Sequence, residues 1–137
     1  MVGRGYDTSF VRLEYGGSLT LTGRWMLVNG NYNDSATAGQ SSQYIVWQPV
    51  MMKGRLSSVW IASSAGSTDS TFIIHRRTSA DVDSELTTFA LSYSGAGREF
   101  IDLSSENIEV EADDQISIEL DSGTVTNSTR AVLLIED

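Results

Sequence analysis

The chain has 137 residues, the length of a single domain, and it contains no cysteine. The missing thiols exclude a disulfide framework and a thiolate metal site. Its 18 acidic and 9 basic residues give a formal net charge of -9, which opposes contact with a phosphate backbone, so we expect no nucleic-acid partner. No apolar run approaches the roughly 20 residues that cross a bilayer, and no secretory signal opens the sequence, so we also expect no membrane partner.

The first part of the chain predicts little regular structure. A strand is expected over 10–15, and a short pair over 18–22 and 25–28 predicts an early hairpin. The stretch 29–42 is rich in Gly, Ser and Asn and reads as a loop. We assign residues 1–42 to an N-terminal arm and this first hairpin.

From residue 43 onward the sequence alternates with a period of two, which is typical of β-strands. In 115–121, for example, Ile116, Ile118 and Leu120 fall on one face. One helical turn is expected within 104–112, and no segment predicts a longer amphipathic helix. Short strands separated by turn residues predict an all-β sandwich or barrel over 43–137, in a single domain overall. The predicted strands are 43–51, 56–62, 71–77, 87–93, 98–103, 115–121 and 129–136.

Several of these strands are apolar on both faces, although a two-layer domain has only one interior. Strand 129–136 has Val132 and Leu134 on the side opposite its other apolar residues, Ala131, Leu133 and Ile135. Strand 56–62 has Val59 and Ile61 on one side, with Leu56 and Trp60 opposite. A neighbouring subunit or another protein surface would cover the second faces. The alternative is that the loop 29–42 or the N-terminal segment folds over them.

Residues suited to catalysis or metal binding are few. His75 is the single histidine, and no serine lies in a nucleophile-elbow sequence, so the sequence gives no catalytic triad. The alternating carboxylates Asp81, Asp83 and Glu85 could supply oxygen ligands to calcium, although a solvated acidic loop is the more common use. Asp114, with Asp113 before it, reads as a turn residue whose side chain bonds to nearby backbone amides. We therefore predict no catalytic residue, no resident metal and no cofactor.

Several short stretches resemble a module of structural proteins in tailed bacteriophages, found in capsid decoration proteins and tail-associated fibres. The resemblance covers roughly 44–137 and is a pattern of pieces. The run 111–121 departs from it, because Glu111-Ala112-Asp113-Asp114 stands where similar proteins have an aromatic residue followed later by Gly-Asp. The resemblance implies an antiparallel jelly-roll-like β-sandwich of about eight strands with an N-terminal extension. This fold is similar to the trimeric knobs of the tumour-necrosis-factor-like type. The stretches that carry it are 49–56 (PVMMKGRL), 58–61 (SVWI), 70–76 (STFIIHR), 111–121 (EADDQISIELD) and 129–137.

The resemblance implies a capsid decoration, or cement, protein on the outer surface of a virion. Such a protein would bind the major capsid protein as a homotrimer and stabilise the shell without catalysis. The residues expected to contact the capsid from the N-terminal arm are Tyr6, Phe10 and Trp25. Those expected at the trimer interface are Trp60, Val132 and Leu134.

Two other functions stay open at this stage. One is a tail-fibre or spike head that binds a host glycan or protein, which the lack of internal repeats disfavours. The other is a carbohydrate-active enzyme, since any two of the 18 carboxylates could meet in space.

Overall fold

The computed structural model describes residues 8–15, 18–19, 24–25, 47–67, 69–91, 95–123, 125–126 and 129–137. A 3₁₀ turn at Ser104–Glu106 confirms the helical turn expected within 104–112. No helix in these ranges has the length and apolar character to span a membrane. The strands are β1 (Thr8–Tyr15), β2 (Ser18–Leu19), β3 (Arg24–Trp25), β4 (Gln48–Pro49), β5 (Gly54–Ser67), β6 (Ser70–Arg77), β7 (Asp83–Leu91), β8 (Gly95–Asp102), β9 (Glu109–Val110), β10 (Gln115–Ser122), β11 (Val125–Thr126) and β12 (Thr129–Glu136).

These strands form an antiparallel jelly-roll-like β-sandwich, as predicted. The first sheet has the order β1-β12-β5-β8, with β9 added on β5. The second sheet has the order β3-β10-β6-β7, with β4 added on β10. Most neighbouring strands are distant in sequence, so each sheet is held together by long-range pairing and not by successive hairpins. Only β6 and β7 pair as sequence neighbours within these two orders.

The core lies between the two sheets and follows from the alternation along their strands. On β10, Ile116, Ile118 and Leu120 are fully buried, which confirms the predicted apolar face. On β12, Ala131, Leu133 and Ile135 are equally buried, while Val132 and Leu134 are partly exposed. The aromatic centre of the core is a stacked pair, Phe72 on β6 and Phe89 on β7, with ring centroids 5.1 Å apart. Side chains of both sheets therefore fill one interior.

A β-bulge in β5 corrects one prediction about its faces. A strict period of two places Leu56 on the same side as Trp60, but Leu56 is fully buried together with Val59 and Ile61. The reason is a register shift, because Leu134 pairs with Ser58 whereas the next residue, Ile135, pairs with Leu56. Ser57 is the extra residue, and a bulge of this kind returns the following side chains to the opposite face.

Three strands of the early segment pair with later strands. β1 pairs along its whole length with β12, so residues 8–15 belong to the first sheet of the sandwich. β2 pairs with β11 and β3 pairs with β10. The turn of the hairpin predicted over 18–22 and 25–28 lies outside the described residues, so that hairpin stays a prediction.

Gly54 should tolerate no side chain, because β5 and β12 approach closely there. A Cβ at this position would lie 2.5 Å from the carbonyl oxygen of Glu136 and 2.9 Å from Cγ2 of Ile135. We expect Gly54→Ala to lower the free energy of unfolding by about 1–3 kcal/mol, as overpacking does. Urea denaturation measures this, with Ser105→Ala on the exposed 3₁₀ turn as a control expected within about 0.5 kcal/mol of the parent. Equal stabilities of the two variants would contradict this packing.

Candidate functional site

The outer face of the first sheet exposes a row of large apolar side chains. Trp60 on β5 is 45% exposed and Phe100 on β8 is 61% exposed. Val132 and Leu134 on β12 point to the same side and are partly exposed. The register places Val132, Trp60 and Phe100 directly beside one another on three adjacent strands. We call these four residues, Trp60, Phe100, Val132 and Leu134, the Trp60 face.

The two aromatic rings of this face pack on each other. The centroids of Trp60 and Phe100 are 6.3 Å apart and the ring planes are inclined by 71°, an edge-to-face geometry. The Cζ atom of Arg98 lies 5.8 Å from the Trp60 centroid, over the ring. This cation–π contact keeps a positive charge at one margin of the apolar surface.

A negative charge stands at the opposite end of the same strand face. Arg98, Phe100 and Asp102 pair with Ala62, Trp60 and Ser58 in an uninterrupted register, so they share the outer face of β8. Oδ1 of Asp102 accepts hydrogen bonds from the backbone nitrogen and hydroxyl of Ser104, at 2.9 and 2.6 Å. These two hydrogen bonds lower the pKa of the Asp102 carboxyl, and the bond from the Ser104 hydroxyl has the larger effect. The edge strand thus presents a cation, an aromatic ring and an oriented anion.

The residues predicted for a subunit contact lie together on this surface. Trp60, Val132 and Leu134 are neighbours on the Trp60 face. The residues predicted for capsid contact are divided. Phe10 lies in β1 at the position paired with Leu134, and Trp25 lies in β3 opposite Glu119, in the other sheet. Tyr6 lies outside the described residues.

Sequence reasoning missed Phe100 and Arg98, the two residues that extend the face to the edge strand. The signal was present, because a period of two through 98–103 places Arg98, Phe100 and Asp102 on one side. Phe100 is 61% exposed, more than the 45% of Trp60 beside it. The position of β8 beside Trp60 could not be read from the sequence, because it depends on long-range pairing.

The outer face of the second sheet is different, because its centre, on β6 and β10, is largely buried. Ile73 is 8% exposed and Glu119 is 4% exposed, although both alternate with core residues on their strands. His75 and Glu119 are joined by a contact of 2.8 Å between Nε2 and Oε1, with side chains that are 13% and 6% exposed. His75 is therefore a paired, largely buried residue. The exposed apolar face belongs to the first sheet.

Of the alternating carboxylates Asp81, Asp83 and Glu85, Asp83 forms an ion pair within the chain. Arg77 donates two hydrogen bonds to Asp83, from Nε to Oδ1 at 2.7 Å and from Nη2 to Oδ2 at 2.9 Å. Among the described residues, no group of three or more His, Asp or Glu side chains could hold a metal ion. Asp114 is 4% exposed and accepts a bond from the backbone nitrogen of Glu111 at 2.9 Å, which confirms its predicted role in a turn.

An open depression of about 560 Å³ lies at one end of the sandwich. Its lining carries charges of both signs and one thioether side chain, with no histidine or serine. No prediction from the sequence singled out this place. The residues that line it are Met52, Lys53, Gly54, Arg55, Glu109 and Asp137.

No family model matches the chain, and no curated protein matches it. Among solved structures, the chain is similar to Eiger TNF from S. frugiperda with a TM-score of 0.46 and 10% sequence identity, over 90% of this chain and 91% of that one.

The ion pair of Asp83 should stabilise the fold at neutral pH but not in acid. Its hydrogen bonds with Arg77, and then the charge of Arg77, lower the pKa of the Asp83 carboxyl. A lowered folded-state pKa gives stability that is present above the unfolded-state pKa and is lost as the pH falls through the folded-state pKa. We expect Asp83→Asn to cost about 0.5–1 kcal/mol at neutral pH, an amount limited by solvent screening of a half-exposed pair. At about pH 2 the difference should vanish. Urea denaturation at both pH values tests this, and a constant difference would contradict it.

Proposed function

We propose that this chain is a bacteriophage capsid decoration protein that binds the outer capsid surface as a homotrimer and stabilises the shell. In this proposal the chain is not an enzyme, and its partners are its own copies and the major capsid protein. The observation that carries the binding role is the Trp60 face, an exposed aromatic surface on an otherwise well-packed sandwich. The virion setting rests on the resemblance of the sequence pieces to phage structural modules.

The composition of the Trp60 face supports protein binding. Aromatic residues are enriched at the centres of protein interfaces, where they contribute most of the binding energy. Among the residues whose burial is described, four large hydrophobic residues are exposed, and two of them, Trp60 and Phe100, form a contiguous pair. Val132 and Leu134 continue the apolar surface onto β12. A surface of this kind on a chain that carries a net charge of -9 favours a specific apolar contact over nonspecific attraction.

Shell stabilisation would follow from mass action. A ligand that binds only the assembled capsid stabilises that state by its binding free energy. Three linked copies add avidity, because the second and third contacts are made at a high effective concentration. A rigid sandwich is suited to this role, since its contact surface is already ordered before binding.

A tail-fibre or spike head that binds a host glycan is the second candidate, because an exposed indole can stack on a sugar ring. Arg98 disfavours it, since its guanidinium group already lies over the Trp60 ring, on which a sugar would have to stack. Binding to a panel of host glycans with no binding to capsids would favour this candidate and overturn the first.

Removing the indole should weaken self-association and leave the fold intact. Trp60 projects from the outer face, so Trp60→Ser should keep the core while the association constant falls about thirtyfold or more, the effect of a central aromatic anchor. Light scattering across a concentration series measures the mass. Val82→Ser is the matched control, because Val82 is 58% exposed but lies in a turn away from the face. An unchanged mass for Trp60→Ser would contradict the assigned surface.

Capsids provide the test of the proposed function itself. Undecorated shells of the major capsid protein should co-sediment with the parent protein and should withstand a higher temperature once decorated. We expect Trp60→Ser to reduce both effects and Val82→Ser to preserve them. Shells whose thermal stability is the same with and without bound chain would overturn the cement role.

A further inference from the structure

The outer face of β8 carries two opposite charges on either side of an exposed aromatic ring. Arg98 and Asp102 are both exposed and lie four residues apart, which is about 13 Å along a strand. Phe100 stands midway between them and is 61% exposed. We call Arg98, Phe100 and Asp102 the β8 stripe.

Both charges are oriented by contacts within the chain and still face solvent. The guanidinium of Arg98 is held over Trp60, and no ion pair joins it to any carboxylate in the described part of the chain. The carboxylate of Asp102 is held through Oδ1 by the backbone N–H and hydroxyl of Ser104. Preorganised charges of this kind lose little conformational entropy when they meet a partner.

The partner that complements the β8 stripe is a β8 stripe of another copy. Because the cation and the anion lie at opposite ends of the stripe, the Arg98 end of one copy can contact the Asp102 end of the next, and head-to-tail contacts of this kind can close into a ring. The rest of the chain argues for such a device. With a net charge of -9, copies repel one another on average, and a specific pair of opposite charges selects one arrangement.

We infer that neighbouring copies join head to tail through their β8 stripes, with Arg98 of one copy against Asp102 of the next and Phe100 toward the symmetry axis. The inference rests on the homotrimer of the proposed function and specifies its contacts. In a closed ring of three, each copy gives Arg98 to one neighbour and Asp102 to the other. Both charges of every β8 stripe are then paired, and Trp60 and Phe100 are covered at the centre of the ring.

Charge reversal with rescue tests the pairing. Arg98→Asp and Asp102→Arg should each raise the dissociation constant of the oligomer at least about tenfold, because like charges then meet. The double variant restores opposite charges and should return the constant to within about threefold of the parent. Arg55→Asp makes the same charge change at an exposed position of the depression and is the matched control. Thermal unfolding of each variant identifies any loss of folding. Weak association of a folded double variant, or full association of a folded single variant, would overturn the inference.

An equimolar mixture of the two single variants tests the ring. One variant carries only negative charges on the stripe and the other only positive charges, so any ring of three brings two like-charged stripes into contact. We therefore expect the mixture to lack the parent trimer mass, and a trimer of that mass in the mixture would overturn the head-to-tail ring. Capsid binding separates the two proposals. If the parent protein binds shells and the charge-reversal variants keep the parent's oligomer mass, the pairing alone is refuted. If the parent protein does not bind shells, the proposed function is refuted.

Discussion

β5 lies between β12 and β8 in the first sheet, and the direction of its side chains determines which residues enter the core and which form the exposed face. Leu56, Val59 and Ile61 enter the core, while Trp60 leaves it on the opposite face. Because neighbouring strands are in register, the same constraint turns Val132 and Phe100 outward beside Trp60. The core and the exposed face are two consequences of one pairing pattern. A substitution that shifted the register would damage both.

The two outer faces of the sandwich differ in how far they are buried and in where their charged side chains find partners. On the second sheet the chain buries this side and satisfies its charges internally, as in the contact of His75 with Glu119. On the first sheet the apolar side stays exposed, and the charges at its margin, Arg98 and Asp102, face solvent. Buried charges need partners within the fold, whereas exposed charges beside an apolar surface can select a partner outside it. This contrast is the reason to place the binding surface on the first sheet.

The sequence predicted the parts of this structure that depend on local alternation. β12 was predicted over 129–136, with Ala131, Leu133 and Ile135 inward and Val132 and Leu134 outward, and the structure has this arrangement. It misplaced Leu56, because the bulge at Ser57 arises from pairing with β12 and leaves no local signal. The pairing of β2 with β11 and of β3 with β10 leaves no local signal either, because it joins segments that are distant in sequence.

The candidate site was predicted only in part. Trp60, Val132 and Leu134 could be selected because apolar residues on a second strand face have no place in a single core. Phe100 was overlooked although its own strand alternates, because only the strand order brings it beside Trp60. Cross-strand neighbours of distant sequence position are set by the topology of the jelly roll, which local periodicity does not encode.

We propose that protein covers the Trp60 face when the molecule acts. Hydroxyl-radical footprinting with mass spectrometry measures the oxidation rate of individual side chains, so each residue can be compared with itself across a concentration series. Oxidation of Trp60 and Phe100 should slow as the protein is concentrated from dilute solution, while the oxidation rate of Val82, which lies in a turn, should stay constant. Oxidation rates of Trp60 and Phe100 that do not change with concentration would contradict the proposal.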